Sequence, residues 1–131
     1  MSLEPENKAE MIRLHFEKAH QYLADAELLI ASNSISSATG RLYYAVFHAV
    51  HALFVANGIS SKTHHGMNAL FNEHFVRTGL IDIKYGRLVA LLENMREKAD
   101  YDVVFDVKRN ELETLKPAAY EFVQRIEQLL A

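Results

Sequence analysis

Arg41-Leu42-Tyr43-Tyr44-Ala45-Val46-Phe47-His48-Ala49-Val50-His51-Ala52-Leu53-Phe54 is the stretch whose reading decides the fold. It is almost wholly apolar, yet Arg41, Tyr44, His48 and His51 recur every three or four residues. At 3.6 residues per turn that spacing aligns them on one side of a helix. A helix that is hydrophobic on its other faces belongs at the centre of a bundle, so a polar stripe along it must find partners or line a cleft.

Working outward, Ile12, Phe16, Ala19, Leu23, Ala26 and Ile30 mark one face of a long first helix from about Pro5 to Ser32. Asn33 and Ser34 break it. Ser36 or Ser37 is expected to cap the central helix, which stops at Asn57-Gly58. A third helix is expected over about His65 to Thr78, with Leu70, Phe71 and Phe75 inward and Gly79 as its stop. Asp82 caps a fourth, reaching about Tyr101, whose apolar face is Leu88, Leu91, Leu92, Met95 and Ala99. The run Tyr101 to Val107 reads as a packed loop between helices. A last helix, about Arg109 to Leu130, turns Leu112, Leu115, Ala119, Phe122, Ile126 and Leu129 inward, with Pro117 expected to kink or divide it. The fold class is therefore all-α, an up-and-down bundle of four to five helices in one domain, residues 1–131.

Composition narrows the function. Half of the 131 residues are apolar and 24% are charged, an ordinary globular profile. The absence of cysteine excludes disulfides and thiolate chemistry. A net charge of −3 argues against a general basic surface, so any nucleic-acid contact has to be local, through arginine and histidine in a cleft. No apolar run reaches the roughly 20 residues of a membrane span. The start, Met-Ser-Leu-Glu-Pro-Glu-Asn-Lys, lacks the order of a signal peptide, and a cytoplasmic protein is expected.

Conventional catalytic motifs are missing. Among seven histidines, His48 and His51 are spaced to share a metal and His64 and His65 open the third helix, but no His-Glu-x-x-His order or completing carboxylate accompanies them, and no metal site is assigned. His15, His20 and His74 read as surface residues. The serines cluster where helices start, and no phosphate-binding or dinucleotide-binding glycine loop is present, so no cofactor is expected. What remains is the stripe on the second helix and a second polar group, Arg96, Asp100 and Tyr101, on the fourth. Arg96 and Asp100 are one turn apart, and as an exposed ion pair they would contribute only about 0.3 to 0.5 kcal/mol. Tyr43, Phe47 and Phe54 read as core aromatics.

The runs Arg41 to Ala49, His64-His65-Gly66, Phe71 to Gly79 and Arg96-Glu97-Lys98-Ala99-Asp100-Tyr101 together resemble the HEPN domain family, over about residues 10 to 130. More narrowly they resemble a branch carrying Arg-x-Tyr-Tyr-Ala-x-Phe-His and Arg-x-x-Ala-Asp-Tyr. The resemblance implies a helical bundle that forms a homodimer through its central helices around a shared cleft. It also implies a small nucleotidyltransferase as partner in a toxin-antitoxin-like pair, and a nucleotide or RNA as ligand. Many members are metal-independent ribonucleases using an arginine and, after four to six intervening residues, a histidine. After Arg96 that histidine is missing, and Tyr101 stands about where it would be. A phenol of pKa near 10 is a poor general base at neutral pH.

The sequence therefore supports a binding protein in which Arg96 forks a phosphate, Asp100 orients it, Tyr44 and Tyr101 stack or offer hydroxyls, and Arg41 with His48 completes the polar wall. Tyr101 is also a candidate site of nucleotide transfer by the partner. The alternative is a metal-independent endoribonuclease with Arg96, Tyr101 and His48 as catalytic residues. A third reading is a non-catalytic structural or dimerisation partner.

Overall fold

A computed structural model describes residues 4–131. Met1–Leu3, part of the run read against a signal peptide, lie outside them. The chain forms α1 (Pro5–Ala31), α2 (Ile35–Asn57), α3 (His64–Phe71), a π-helical turn (Asn72–Val76), α4 (Ile83–Tyr101) and α5 (Arg109–Leu130). Among the described residues there is no strand. The expected all-α bundle is what forms. No helix among the described residues is long and apolar enough to cross a membrane.

The α1–α2 corner explains why these two helices lie side by side. Asn33 adopts a left-handed φ of 63°, and Ser34 N–H bonds the Leu29 carbonyl at 2.7 Å while Asn33 N–H bonds that of Ile30 at 3.0 Å. This is a Schellman closure with asparagine in glycine's usual place. The chain reverses so tightly that α2 restarts at once, with Ser34 as N-cap and no side-chain cap bond. Ser36 and Ser37, the expected caps, instead lie exposed inside the first turn. Gly58, at φ 68°, ends α2 by the same device, with Ile59 N–H on the Phe54 carbonyl at 3.0 Å.

α2 is the central element: it packs on α1, α4 and α5, and Leu42, Tyr43, Ala45, Val46, Ala49 and Val50 are all fully buried. The core opposite it is built from Leu23 and Ala26 of α1, Val89 and Leu92 of α4, and Phe122 and Ile126 of α5. Each of these side chains except Ala26 contributes roughly 1.5 to 3 kcal/mol by leaving water. The sequence reading placed Leu91 on the inner face of α4, but it is 46% exposed, and Tyr85, Val89, Glu93 and Arg96 are buried instead.

The third segment is not one helix to Thr78. After Phe71 it widens into the π turn, where Arg77 N–H bonds the Asn72 carbonyl at 2.8 Å. At the start of this turn the Asn72 amide bonds the Asn68 carbonyl at 2.8 Å, and its side chain lies against Gly86 of α4 so closely that a Cβ there would sit 2.6 Å from Asn72 Oδ1. Asp82 caps α4 as expected, accepting from Lys84 N–H at 2.9 Å.

Of the two outcomes expected at Pro117, division does not occur: α5 runs unbroken through it. Proline removes one donor, but Pro117 is exposed, and on that side water can take the carbonyl left free. The loop after Tyr101 is not packed along its length: Val103 is 99% and Val104 84% exposed, and Val107 is the residue that reaches the core.

Candidate functional site

Arg96 points from α4 into the seam with α2. It is only 8% exposed. Its guanidinium carbon lies 5.2 Å from the centre of the Tyr43 ring and 6.0 Å from that of Tyr44, an arrangement in which the negative ring faces attract the cation. The Arg96 stem passes beside Gly40, where a Cβ would lie at an ordinary contact distance of 3.8 Å from Arg96 Cγ. Arg96 and Asp100 make the expected one-turn pair, but at a long 3.4 Å. Arg96 Nε is buried with no hydrogen-bond partner. This cation therefore lies against ring faces with one of its five N–H donors, that on Nε, buried and unanswered.

Tyr43 does more than fill the core. Its hydroxyl lies 2.5 Å from His64 Nδ1. Burial first, and then the Glu93 carboxylate, push the phenol's pKa well above its ordinary value. Tyr43 therefore keeps its proton, and its hydroxyl and the His64 Nδ1 form one hydrogen bond. Glu93 is itself 4% exposed. It accepts from the Asn68 amide and lies 3.6 Å from His65 Nδ1.

Along α2 the stripe continues as stacked rings. Tyr44 meets Tyr43 edge-on at 5.2 Å and Tyr22 of α1 at 5.8 Å. His48 stacks on Tyr22 at 5.6 Å, and Arg41 lies over the same ring at 5.5 Å. His15, read from the sequence as a surface residue, is half-buried here: its Nδ1 is 3.0 Å from His48 Nδ1, and its ring stacks on His51 at 5.8 Å. Two Nδ1 atoms at that distance share one proton, one donating and the other accepting. Burial, then the neighbouring imidazoles and, for His48, Lys18, bring His48 and His51 down to about 4. Burial alone lowers His15. These rings are neutral at pH 7.

The structure thus brings Arg96, Tyr44 and Asp100 into one neighbourhood, with Arg41 and His48 linked to it through Tyr22. Tyr101 is separate. Five residues at 100° each carry it about 140° round α4 from Arg96, and it is 77% exposed, lining a shallow groove of about 510 Å³ with Glu97, Lys98 and Val103. Sequence reasoning missed His64, Glu93, His15 and Tyr22 as members of the polar network. The doubled histidine at His64-His65 was the one local signal. Among the described residues no group of three or more histidine, aspartate or glutamate side chains is placed to hold a metal ion.

The sequence model of the HEPN domain family matches residues 12–129. A "UPF0332 protein" of Thermotoga maritima is 32% identical over 123 residues, covering 94% of this chain and 93% of that protein. Two proteins of Methanocaldococcus jannaschii that bear the name "Putative toxin" are 34% and 31% identical, over 92% and 94% of this chain and 90% and 83% of their own lengths.

Proposed function

The chain belongs to the HEPN domain family, and from that premise we propose that it binds a nucleotide or a segment of RNA in a polar cleft centred on Arg96. It acts as a cytoplasmic homodimer with a small nucleotidyltransferase, in a pair that behaves like toxin and antitoxin. The observation that carries this reading is the state of Arg96: a buried cation, fixed between ring faces, with Nε unpartnered and its one carboxylate at 3.4 Å. A phosphate would satisfy that fork better than Asp100 does, since charge-assisted bonds to a planar guanidinium are among the strongest available. Tyr44 supplies a ring for a base, Asp100 orients the fork, and Arg41 and His48 extend the wall. Tyr101, exposed on its own groove, is the residue left open to the partner enzyme. The relatives bearing a toxin name support a toxin-like role.

A second reading, metal-independent RNA cleavage, is favoured by one observation. It needs an imidazole near Arg96, and neither His48 nor Tyr101 touches that residue, but His64 packs on the same two rings, 5.5 Å from Tyr43 and 6.5 Å from Tyr44. Arg96 would stabilise charge on the phosphorus centre and His64 would move the proton.

The test is incubation of wild-type and Arg96→Ala protein with end-labelled RNA in EDTA, with binding followed by anisotropy. The expected result is intact RNA, bound by the wild type and bound about tenfold or more weakly by the variant. Discrete products that vanish in the variant would put cleavage in its place. Equal binding by both proteins would remove Arg96 from the site.

A further inference from the structure

Glu93 is the buried charge that neither reading uses. It is 4% exposed. One carboxylate oxygen accepts from the Asn68 amide, while the other lies 3.6 Å from His65 Nδ1, beyond hydrogen-bond length. A carboxylate taken out of water with so few partners is costly. Its position gives it a bearing on the anion site. Glu93 and Arg96 are three residues apart on the buried side of α4, and such neighbours have Cβ atoms roughly 5 to 6 Å apart. Tyr43 registers both charges: after the larger effect of burial, Glu93 pushes its phenol up and Arg96 pulls it down.

The seam thus holds one guanidinium between two carboxylates of the same helix, Glu93 one turn before it and Asp100 one turn after. Asp100 has a side chain 47% exposed, and water screens it. Glu93 is enclosed, where charges act on one another more strongly than in water. Arg41, the other cation of the polar wall, is exposed over Tyr22 and is screened as Asp100 is. An anion entering the seam meets Arg96 with Glu93 close behind it, so every further negative charge it carries is repelled by a carboxylate it cannot displace. A phosphodiester carries a single charge. A terminal phosphate carries about −2 at neutral pH, and a nucleoside triphosphate carries more.

We infer that Glu93 makes the Arg96 site selective for a singly charged phosphodiester, so that its ligand is the internal backbone of RNA and not a free nucleotide with a terminal phosphate. The inference rests on the reading that Arg96 holds a phosphate. It decides between the two ligand classes, nucleotide and RNA, that this reading leaves open, and it assigns the decision to a residue that acts through its charge without touching the ligand.

The test uses the full chain with a fluorescein-labelled octamer of uridylate, displaced in EDTA by adenosine 5′-monophosphate or by its methyl ester. These competitors share base and sugar and differ by one methyl group, which removes one charge. The ester is expected to displace the octamer at a concentration about fivefold or more below that of the monophosphate. In Glu93→Gln, which keeps an oxygen for Asn68, the monophosphate should bind about fivefold more tightly than in the wild type and come within about twofold of the ester. Asp100→Asn should move the ratio by less than about twofold. A gain in affinity is a result that loss of packing does not give, and the wild-type ratio decides alone should Glu93→Gln unfold. A monophosphate that displaces as well as its ester, an ester that fails to displace, or a ratio unchanged in folded Glu93→Gln would overturn the selectivity, and octamer binding weakened in Arg96→Ala would still leave the reading of Arg96 intact. Octamer binding that Arg96→Ala does not weaken, or no binding at all, would overturn both.

Discussion

Arg96 and Tyr101 stand five residues apart on one helix, and the sequence reads them as one motif, but they occupy opposite kinds of surroundings. Arg96 is 8% exposed, wedged under two tyrosine rings of α2, while Tyr101 is 77% exposed at the helix end, beside Val103 and Val104 in open water. A motif is a stretch of chain, whereas a site is a place. Helical rotation divides these two residues between a packed seam and a free surface. One can be held rigidly for a ligand by its neighbours, whereas the other is available to whatever meets the protein from outside.

Tyrosine occurs in both regions, which allows a direct comparison by substitution. Tyr43→Ala empties a fully buried ring site beneath Arg96 and is expected to cost about 3 to 5 kcal/mol in denaturant unfolding. A loss under about 1 kcal/mol would mean that the seam is not packed as described.

Acid probes the same seam from the imidazole side. His48 and His51 are depressed to about 4 in the folded chain, whereas unfolded histidine titrates near 6.5. Between those values the unfolded chain binds more protons, so the stability these neutral rings contribute is fully present above about pH 6.5 and is lost as pH falls through about 4. Both rings are partly in water, so the loss is well below the full linkage value, about 1 to 3 kcal/mol in all. It should be shallower in His51→Phe, read from denaturant midpoints at pH 7 and pH 4.5. A wild-type profile no steeper than that of the variant would contradict the imidazole cluster.

The comparison sharpens with smaller changes. Tyr43→Phe keeps the ring and removes only the hydroxyl on His64, at an expected cost of about 1 kcal/mol. By nuclear magnetic resonance, His64 should then lose its fixed tautomer. Tyr101→Ala is expected to leave stability unchanged within about 0.5 kcal/mol, as an exposed residue with no packing role should. A larger loss would mean that the helix end is more ordered than its exposure implies.

How much of this was legible in the sequence depends on whether a feature lies within one helix or between two. The α2 stripe and its central burial follow from spacing alone, because periodicity fixes which residues of one helix share a face. Periodicity is silent about which neighbour meets that face. It could not bring His15 from α1 against His48, nor set His64 on Tyr43, because both contacts join elements distant in sequence. Nor could it foresee the π turn at Asn72, whose side chain meets Gly86 of the distant α4. Pro117 does not divide α5 for a related reason: the missing donor is a local fact, but its cost depends on whether water reaches the freed carbonyl. The pairing of Arg96 with Asp100 was legible, and the burial that makes the same arginine a ligand candidate was not.

The central claim is that Arg96 is kept in the seam for an anion and not for the fold, and Arg96→Met tests it most directly. Methionine fills similar space without a charge, and loss of the ring–cation attraction is offset by no longer burying an unpartnered Nε, so stability should change by under about 1 kcal/mol. Thermal melting and RNA affinity measured on the same preparation give the answer. The account predicts a melting curve close to the wild type and binding about tenfold or more weaker. A variant that melts early yet binds RNA as tightly as the wild type would contradict it.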